Sequence, residues 1–221
     1  MRSIKEAESH LWKTESTKTY TAMTGDSGFH NAMADLVLAD SVDQDRVSFC
    51  ATPGGTGAIH HVLELVKLTE TNPTVWFSDP TWGNHLTIAK HLNMQIGKYS
   101  YFDNETRSVD FKAMLSDLSN VANGDIVVLH GCCHNPTGAN LSKDQWNIIS
   151  ELLLEKEAIP FIDIAYQGFG EGIEEDAFGT RLLASKFPEM FIAASCSKNF
   201  GIYRERCGIV MAISKNPDIS I

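Results

Sequence analysis

The sequence predicts an α/β fold: a mostly parallel sheet sandwiched by helices. Three observations carry this. Short apolar runs rich in Val, Ile and Phe alternate with helix-length segments from residue 46 to residue 213. The run Asp-Ile-Val-Val-Leu at 125–129 is almost continuously apolar, as a strand covered on both faces requires. Polar and glycine-rich clusters follow the C-terminal ends of these runs, the edge where open α/β sheets gather ligands.

Taken in order, residues 1–20 are polar and helix-prone, with Ile4, Ala7, Leu11 and Trp12 marking one face. Thr24-Gly25-Asp26-Ser27-Gly28 breaks that pattern, and 29–38 forms the next helix. Strand 46–51 leads to helix 56–68, strand 74–77 to helix 84–91, and strand 95–102 to a helix over 110–118 opened by Asp110. Strand 125–129 precedes helix 142–156, where Ser142 and Gln145 make a capping box. Strand 159–164, helix 177–186, strand 190–195 and strand 207–213 complete the alternation. No repeat, low-complexity tract or linker divides the chain.

Composition narrows the function. The net charge is −10, from 28 acidic against 18 basic residues, with no basic block. Neither nucleic acid nor an anionic membrane is expected as the main partner. No apolar run approaches the roughly 20 residues that span a bilayer. The first residues, Met1-Arg2-Ser3-Ile4-Lys5, lack a signal peptide's apolar core, so a cytoplasmic protein is expected. Five cysteines without CxxC spacing suggest reduced thiols and no metal site.

Five clusters sit at strand ends. In Thr52-Pro53-Gly54-Gly55-Thr56-Gly57-Ala58, glycines let the backbone approach an anion where a helix N-terminus offers free N–H groups; the alternative is an ordinary glycine turn. The cluster matches neither a P-loop nor G-x-G-x-x-G, which weakens a nucleotide-binding reading. In Asp79-Pro80-Thr81-Trp82-Gly83-Asn84-His85, Trp82 can lie on an aromatic ligand or belong to the core, and His85 can back a ligand group or simply start a helix. In His130-Gly131-Cys132-Cys133-His134-Asn135-Pro136-Thr137-Gly138, Asn135 can aim an amide at a ligand or serve a plain turn. Asp163 interrupts the apolar run of Phe161-Ile162-Asp163-Ile164-Ala165-Tyr166, and a buried carboxylate needs a cationic or hydrogen-bonding partner. It could instead cap the next helix. In Ser195-Cys196-Ser197-Lys198-Asn199 and the following Arg206, a lysine leaves a buried strand near a phosphate-binding fork. Alone, Lys198 reads first as a surface lysine.

Together these residues supply every part that one cofactor needs. They offer an amine (Lys198), a carboxylate for a ring nitrogen (Asp163), a stacking aromatic (Trp82) and hydroxyl-side donors (Asn135, Tyr166). Gly55, Thr56, Ser195 and Arg206 form a phosphate cup. That cofactor is pyridoxal 5′-phosphate (PLP).

The motifs TPGGTGA, DPTWGNH, HGCCHNPTG, FIDIAYQGF and SCSKNFGIYRERCG, in that order, resemble a class I aminotransferase of the aspartate and aromatic amino-acid group. The resemblance runs from Ile4 to Ile213 and implies the large domain of the type I PLP fold. It implies that Lys198 is the Schiff-base lysine and catalytic base, that Asp163 pairs with the pyridine nitrogen with His85 behind it, and that Trp82 stacks on the ring. It implies that Asn135 and Tyr166 bond the ring oxygen, and that Gly55, Thr56, Ser195, Ser197 and Arg206 hold the phosphate. Tyr20 resembles a tyrosine that reaches the phosphate of the neighbouring subunit, and His130 a residue behind the cofactor. The implied reaction passes an amino group from an aspartate or aromatic L-amino acid to a 2-oxo acid, 2-oxoglutarate being the expected acceptor, in a homodimer.

Family members extend past the last strand read here, so the expectation is a large domain lacking its C-terminal small domain and the two substrate-binding arginines. Residues 1–30 would be an N-terminal helix and loop belonging to the small domain or dimer contact, and 31–221 the PLP-binding domain. Poor turnover by the isolated chain is expected on that basis. The rival reading is a non-catalytic PLP-binding or dimerisation fragment. A nucleotide-binding α/β protein is the weakest alternative.

Overall fold

The computed structural model describes residues 2–69 and 71–215, so the last six residues of the expected PLP-binding domain lie outside the described residues. The strands are β1 (Val47–Pro53), β2 (Thr74–Asp79), β3 (Gln95–Ser100), β4 (Phe102–Asp103), β5 (Ser108–Val109), β6 (Ile126–His130), β7 (Ile159–Ile164), β8 (Met190–Ser195) and β9 (Cys207–Ile213). The helices are α1 (Arg2–Thr14), α2 (Ser27–Val37), α3 (Gly54–Lys67), α4 (Gly83–His91), α5 (Phe111–Leu118), α6 (Lys143–Glu155), α7 (Ile173–Asp176) and α8 (Phe178–Lys186).

Seven strands form one sheet in the order β1-β9-β8-β7-β6-β2-β3. Its β3-β2-β6-β7-β8 portion is parallel, while β9 runs antiparallel to both β8 and β1. The reversal of β9 follows from chain length. The segment between Ser195 and Cys207 is too short for a helical crossover of a dozen or more residues, so the chain returns as a neighbour running the other way.

Alternation along the strands fills both faces. Val127, Leu129, Ile162 and Ile164 enter one apolar cluster, and Ile126, Val128 and Phe161 enter the other. A sheet buried on both sides explains the near-continuous apolar strands in the sequence. The Ser142–Gln145 capping box is present at α6.

Several boundaries differ from expectation by a residue or two, and four of the differences bear on the architecture. The strand expected over 95–102 ends at Ser100, and Phe102–Asp103 turns away to pair with Ser108–Val109. Helix α3 begins at Gly54, two residues early, directly after Pro53. The helix expected over 177–186 begins at Phe178, with the short α7 ahead of it. Asp125 stands before β6, where its carboxylate accepts from the Thr74 N–H (2.9 Å), Trp76 Nε1–H (2.9 Å) and Ala122 N–H (3.0 Å). Helix α1 forms as expected, but none of its residues is buried, and Leu11 and Trp12 are exposed.

The topology locates a crevice. The chain passes from β2 outward to β3, then returns to β6 on the other side of β2, so β2 and β6 flank the point where strand order reverses. They pair only at Val75 with Ile126 and Trp76 with Val127. Beyond that, their C-terminal ends are held by side chains rather than by a ladder.

Candidate active site

One cleft opens at the C-terminal edge of the parallel strands. Trp82 follows β2, His130 ends β6 and Asn135 follows it. Asp163 lies on β7 with Tyr166 just past it, Ser195 ends β8, and Ser197 and Lys198 follow; all line the cleft. Gly55 and Thr56, in the first turn of α3, and Arg206, just before β9, close its other end. His85 is fully buried behind this lining. Tyr20 is fully exposed and does not line the cleft of its own chain.

At the centre, His85 Nε2 lies 2.9 Å from Asp163 Oδ2. Burial pushes the Asp163 carboxyl up, but the hydrogen bond and charge of His85, with help from His130 and Lys198, outweigh it and hold the group below its ordinary value. Asp163 is therefore ionised while nearly buried. Lys198 Nζ sits 4.9 Å from the centre of the Tyr166 ring, a cation over an aromatic face. Burial, then the charge of Asp163, raises the Tyr166 hydroxyl.

A hydrogen-bonded chain runs behind this pair, and one backbone donor sets the tautomer of its His130. The Asn135 N–H donates to His130 Nδ1 at 3.3 Å, so that nitrogen is the acceptor and Nε2 carries the proton. His130 Nε2 then donates to Thr81 Oγ1 (3.3 Å), Thr81 Oγ1 lies 2.8 Å from His85 Nδ1, and His85 Nε2–H donates to Asp163. Burial lowers the pKa of His130 to about 4 despite the pull of Asp163, with His85 adding to the fall, so the imidazole is neutral as this polarity requires. Thr81 is a member that sequence reasoning passed over. A threonine two residues after a strand carries no signal until the histidines on either side of it are brought together.

The far end is built for an anion. Helix α3 has no side-chain cap, so its first N–H groups at Gly55 and Thr56 face the cleft unpaired by a capping residue. Arg206 Nη1 donates to Ser197 Oγ (3.2 Å) and to the Tyr203 carbonyl (3.1 Å). Gly54, at φ +73°, passes directly under the guanidinium; a Cβ there would stand 2.4 Å from Arg206 Nη2. A Cβ on Gly208 would stand 2.5 Å from the Gly54 carbonyl carbon, so the start of α3 and the start of β9 meet here through two glycines. Ser195 Oγ accepts from the Ser197 N–H at 3.3 Å.

Cys132 and Cys133 Sγ and an Asp176 oxygen lie within 4.8 Å of one another, a grouping the sequence spacing did not show. Asp176 already accepts N–H bonds from Gly168 (2.8 Å), Gly170 (2.9 Å) and Glu171 (2.9 Å). Burial pushes both thiols up, away from the thiolate that a metal needs. All five cysteines are free thiols.

An amine, an ionised buried carboxylate, a flanking indole and an anion cup in one cleft at a sheet edge define a site for an aromatic aldehyde cofactor bearing a phosphate. The sequence matches the family described as aminotransferase class I and II over residues 1–217, and the chain belongs to it. It is 52% identical over 213 residues to the aromatic-amino-acid aminotransferase of Paracoccus denitrificans, covering 96% of this chain and 54% of that protein. It is 37% identical over 221 residues to the aspartate aminotransferase of Salmonella typhi, covering 99% of this chain and 56% of that one. The fold superposes with a TM-score of 0.95, at 35% identity, on an aromatic-amino-acid aminotransferase from Burkholderia pseudomallei covalently bound to pyridoxal phosphate, covering 99% of this chain and 55% of that one. The family is PLP-dependent. The chain spans about half the length of these relatives. No helix among the described residues is long and apolar enough to cross a membrane.

Proposed function

We propose that this chain carries the PLP site of an aminotransferase that moves an amino group from an aspartate or aromatic L-amino acid to a 2-oxo acid. One observation carries the reading: Lys198, the ionised Asp163 and Arg206 line a single cleft at the sheet edge. PLP supplies an aldehyde for an amine and a ring that accepts electrons when its nitrogen is protonated.

The chain's own residues then have separable tasks. Lys198 Nζ would hold the cofactor and, as a free amine, would take the α-proton of the amino acid. Asp163, kept ionised by His85, favours a protonated ring nitrogen. Trp82 covers one ring face, and Asn135 and Tyr166 donate to the ring oxygen. Gly55, Thr56, Ser195, Ser197 and Arg206 hold the phosphate. His130 acts from behind through Thr81.

The identity to the Paracoccus enzyme supports the aromatic substrate class, and the Salmonella relative keeps aspartate beside it. Residues 1–30, with the unburied face of α1 and the exposed Tyr20, are assigned to a small-domain or dimer contact, and the protein to a cytoplasmic homodimer. A rival reading, a PLP-binding or dimerisation module without turnover, draws on that same open face.

The test is absorption on adding PLP. A visible band that disappears in Lys198→Ala is expected. A folded protein that gives no band, or a band that survives in Lys198→Ala, overturns the assignment.

A further inference from the structure

His134 does not line the cleft, yet its side chain is tied down on every side. Its side chain is buried, and both ring nitrogens are engaged: Nε2 with Ser78 Oγ at 2.9 Å and Nδ1 with Thr137 Oγ1 at 2.8 Å. The ring stacks on Tyr101, with centroids 3.9 Å apart and planes at 16°. Its carbonyl accepts the Gly138 N–H at 2.6 Å, closing the turn that holds Asn135.

The positions of these partners matter. Ser78 is on β2 and His134 is in the loop after β6, and these two strands flank the crevice but pair only at Val75–Ile126 and Trp76–Val127. The Ser78–His134 bond therefore ties the strands together beyond their last ladder pair. Asn135 is the next residue in the chain. Among the described residues its one hydrogen bond is the 3.3 Å bond from its N–H to His130, too long to fix the residue alone.

We infer that His134 is the positioning residue for Asn135: by anchoring the loop to Ser78, Thr137 and Tyr101, it sets where the Asn135 carboxamide points in the cleft. Burial, with the charges of His130 and His85, lowers the His134 pKa to about 2, so the anchor keeps one donor and one acceptor nitrogen at all working pH values. The inference rests on the proposed PLP reading only for what Asn135 then touches.

Two measurements separate the inference from that reading. The first is amide hydrogen exchange at Asn135 in cofactor-free protein. His134→Phe keeps the stack on Tyr101 and removes both nitrogens; Ser78→Ala removes one bond and serves the same purpose if His134→Phe does not fold. Exchange at Asn135 about five- to tenfold faster is expected, the equivalent of one hydrogen bond. Unchanged exchange in the folded variants overturns the inference.

The second is the pH midpoint of the PLP absorption band. Asn135→Ala should move it, His134→Phe or Ser78→Ala should move it in the same direction, and combining either with Asn135→Ala should add nothing. A wild-type midpoint alongside a lowered melting temperature, or shifts that add in full, would show a merely structural histidine. No band in the wild type removes the cofactor reading and leaves the exchange result to decide on His134.

Discussion

His85 Nε2 approaches Asp163 Oδ2 at 2.9 Å, with the imidazole wholly out of solvent and the carboxylate side chain 11% exposed. The pair fixes the charge at the floor of the cleft. His85→Phe keeps the ring volume and its contact with Phe77 but leaves a buried carboxylate without its partner. A loss of about 3–5 kcal/mol is expected, read as a fall in unfolding free energy at neutral pH. Because Asp163 has a depressed folded-state value, its contribution is fully present above the ordinary carboxylate range and is lost as pH falls through the folded value. In His85→Phe that acid-side loss should shrink.

His130 and His134 add to this acid-side loss. Burial lowers them to about 4 and about 2, so below pH 6.5 the unfolded chain binds protons that the folded chain refuses. Stability should fall with decreasing pH from 6.5, by about 1.4 kcal/mol per pH unit for each imidazole. The fall attributable to His130 should level off near pH 4. Denaturant titrations between pH 7 and 5 check this, and His130→Gln and His134→Phe should each flatten the slope by one proton.

Arg206 and Gly54 are tested by the charge they serve. Arg206→Gln should weaken PLP binding by about ten- to a hundredfold while leaving pyridoxal, which lacks the phosphate, almost unaffected. Gly54→Ala should do the same by pushing the guanidinium aside. It should also destabilise the fold by about 1–3 kcal/mol, because φ is +73° there. Fluorescence titrations with the two ligands separate these outcomes.

Asp125 offers a control away from the cleft. Its carboxylate accepts three N–H groups, including the Trp76 indole. Asp125→Ala leaves these donors without their acceptor and should cost about 2–4 kcal/mol. That corresponds to a melting temperature lower by about 4–16 °C for a chain of this size. PLP binding by the protein that remains folded should be unchanged.

The strands and most helices were legible because buried parallel strands write themselves as apolar runs. The cleft was legible because most of its side chains follow such a run. Strand β3 was read too long because Tyr101 and Phe102 continue its apolar character, and only the pairing of Phe102 with Val109 reveals the turn away. Asp125 was read into β6 because a carboxylate beside an apolar run does not announce the three donors it caps. Thr81, Ser78 and His134 escaped notice for a related reason. Their roles lie in contacts between segments far apart in sequence, and threonine, serine and histidine near turns are common. The open face of α1 was visible as a periodicity, but nothing in it tells whether this chain or another covers it.

The meeting of Gly54 with Gly208 and Arg206 has a consequence for biosynthesis. The anion cup joins the beginning of the first helix–strand unit to the last strand of the sheet. A chain emerging from the ribosome can form β1 and α3 early, but it has no cup until β9 has been made and inserted between β1 and β8. Cofactor capture would thus come late, and a chain that has captured it has already closed the sheet. Retention of the phosphate then reports that Gly54 and the Arg206–Gly208 segment, far apart in sequence, have found each other.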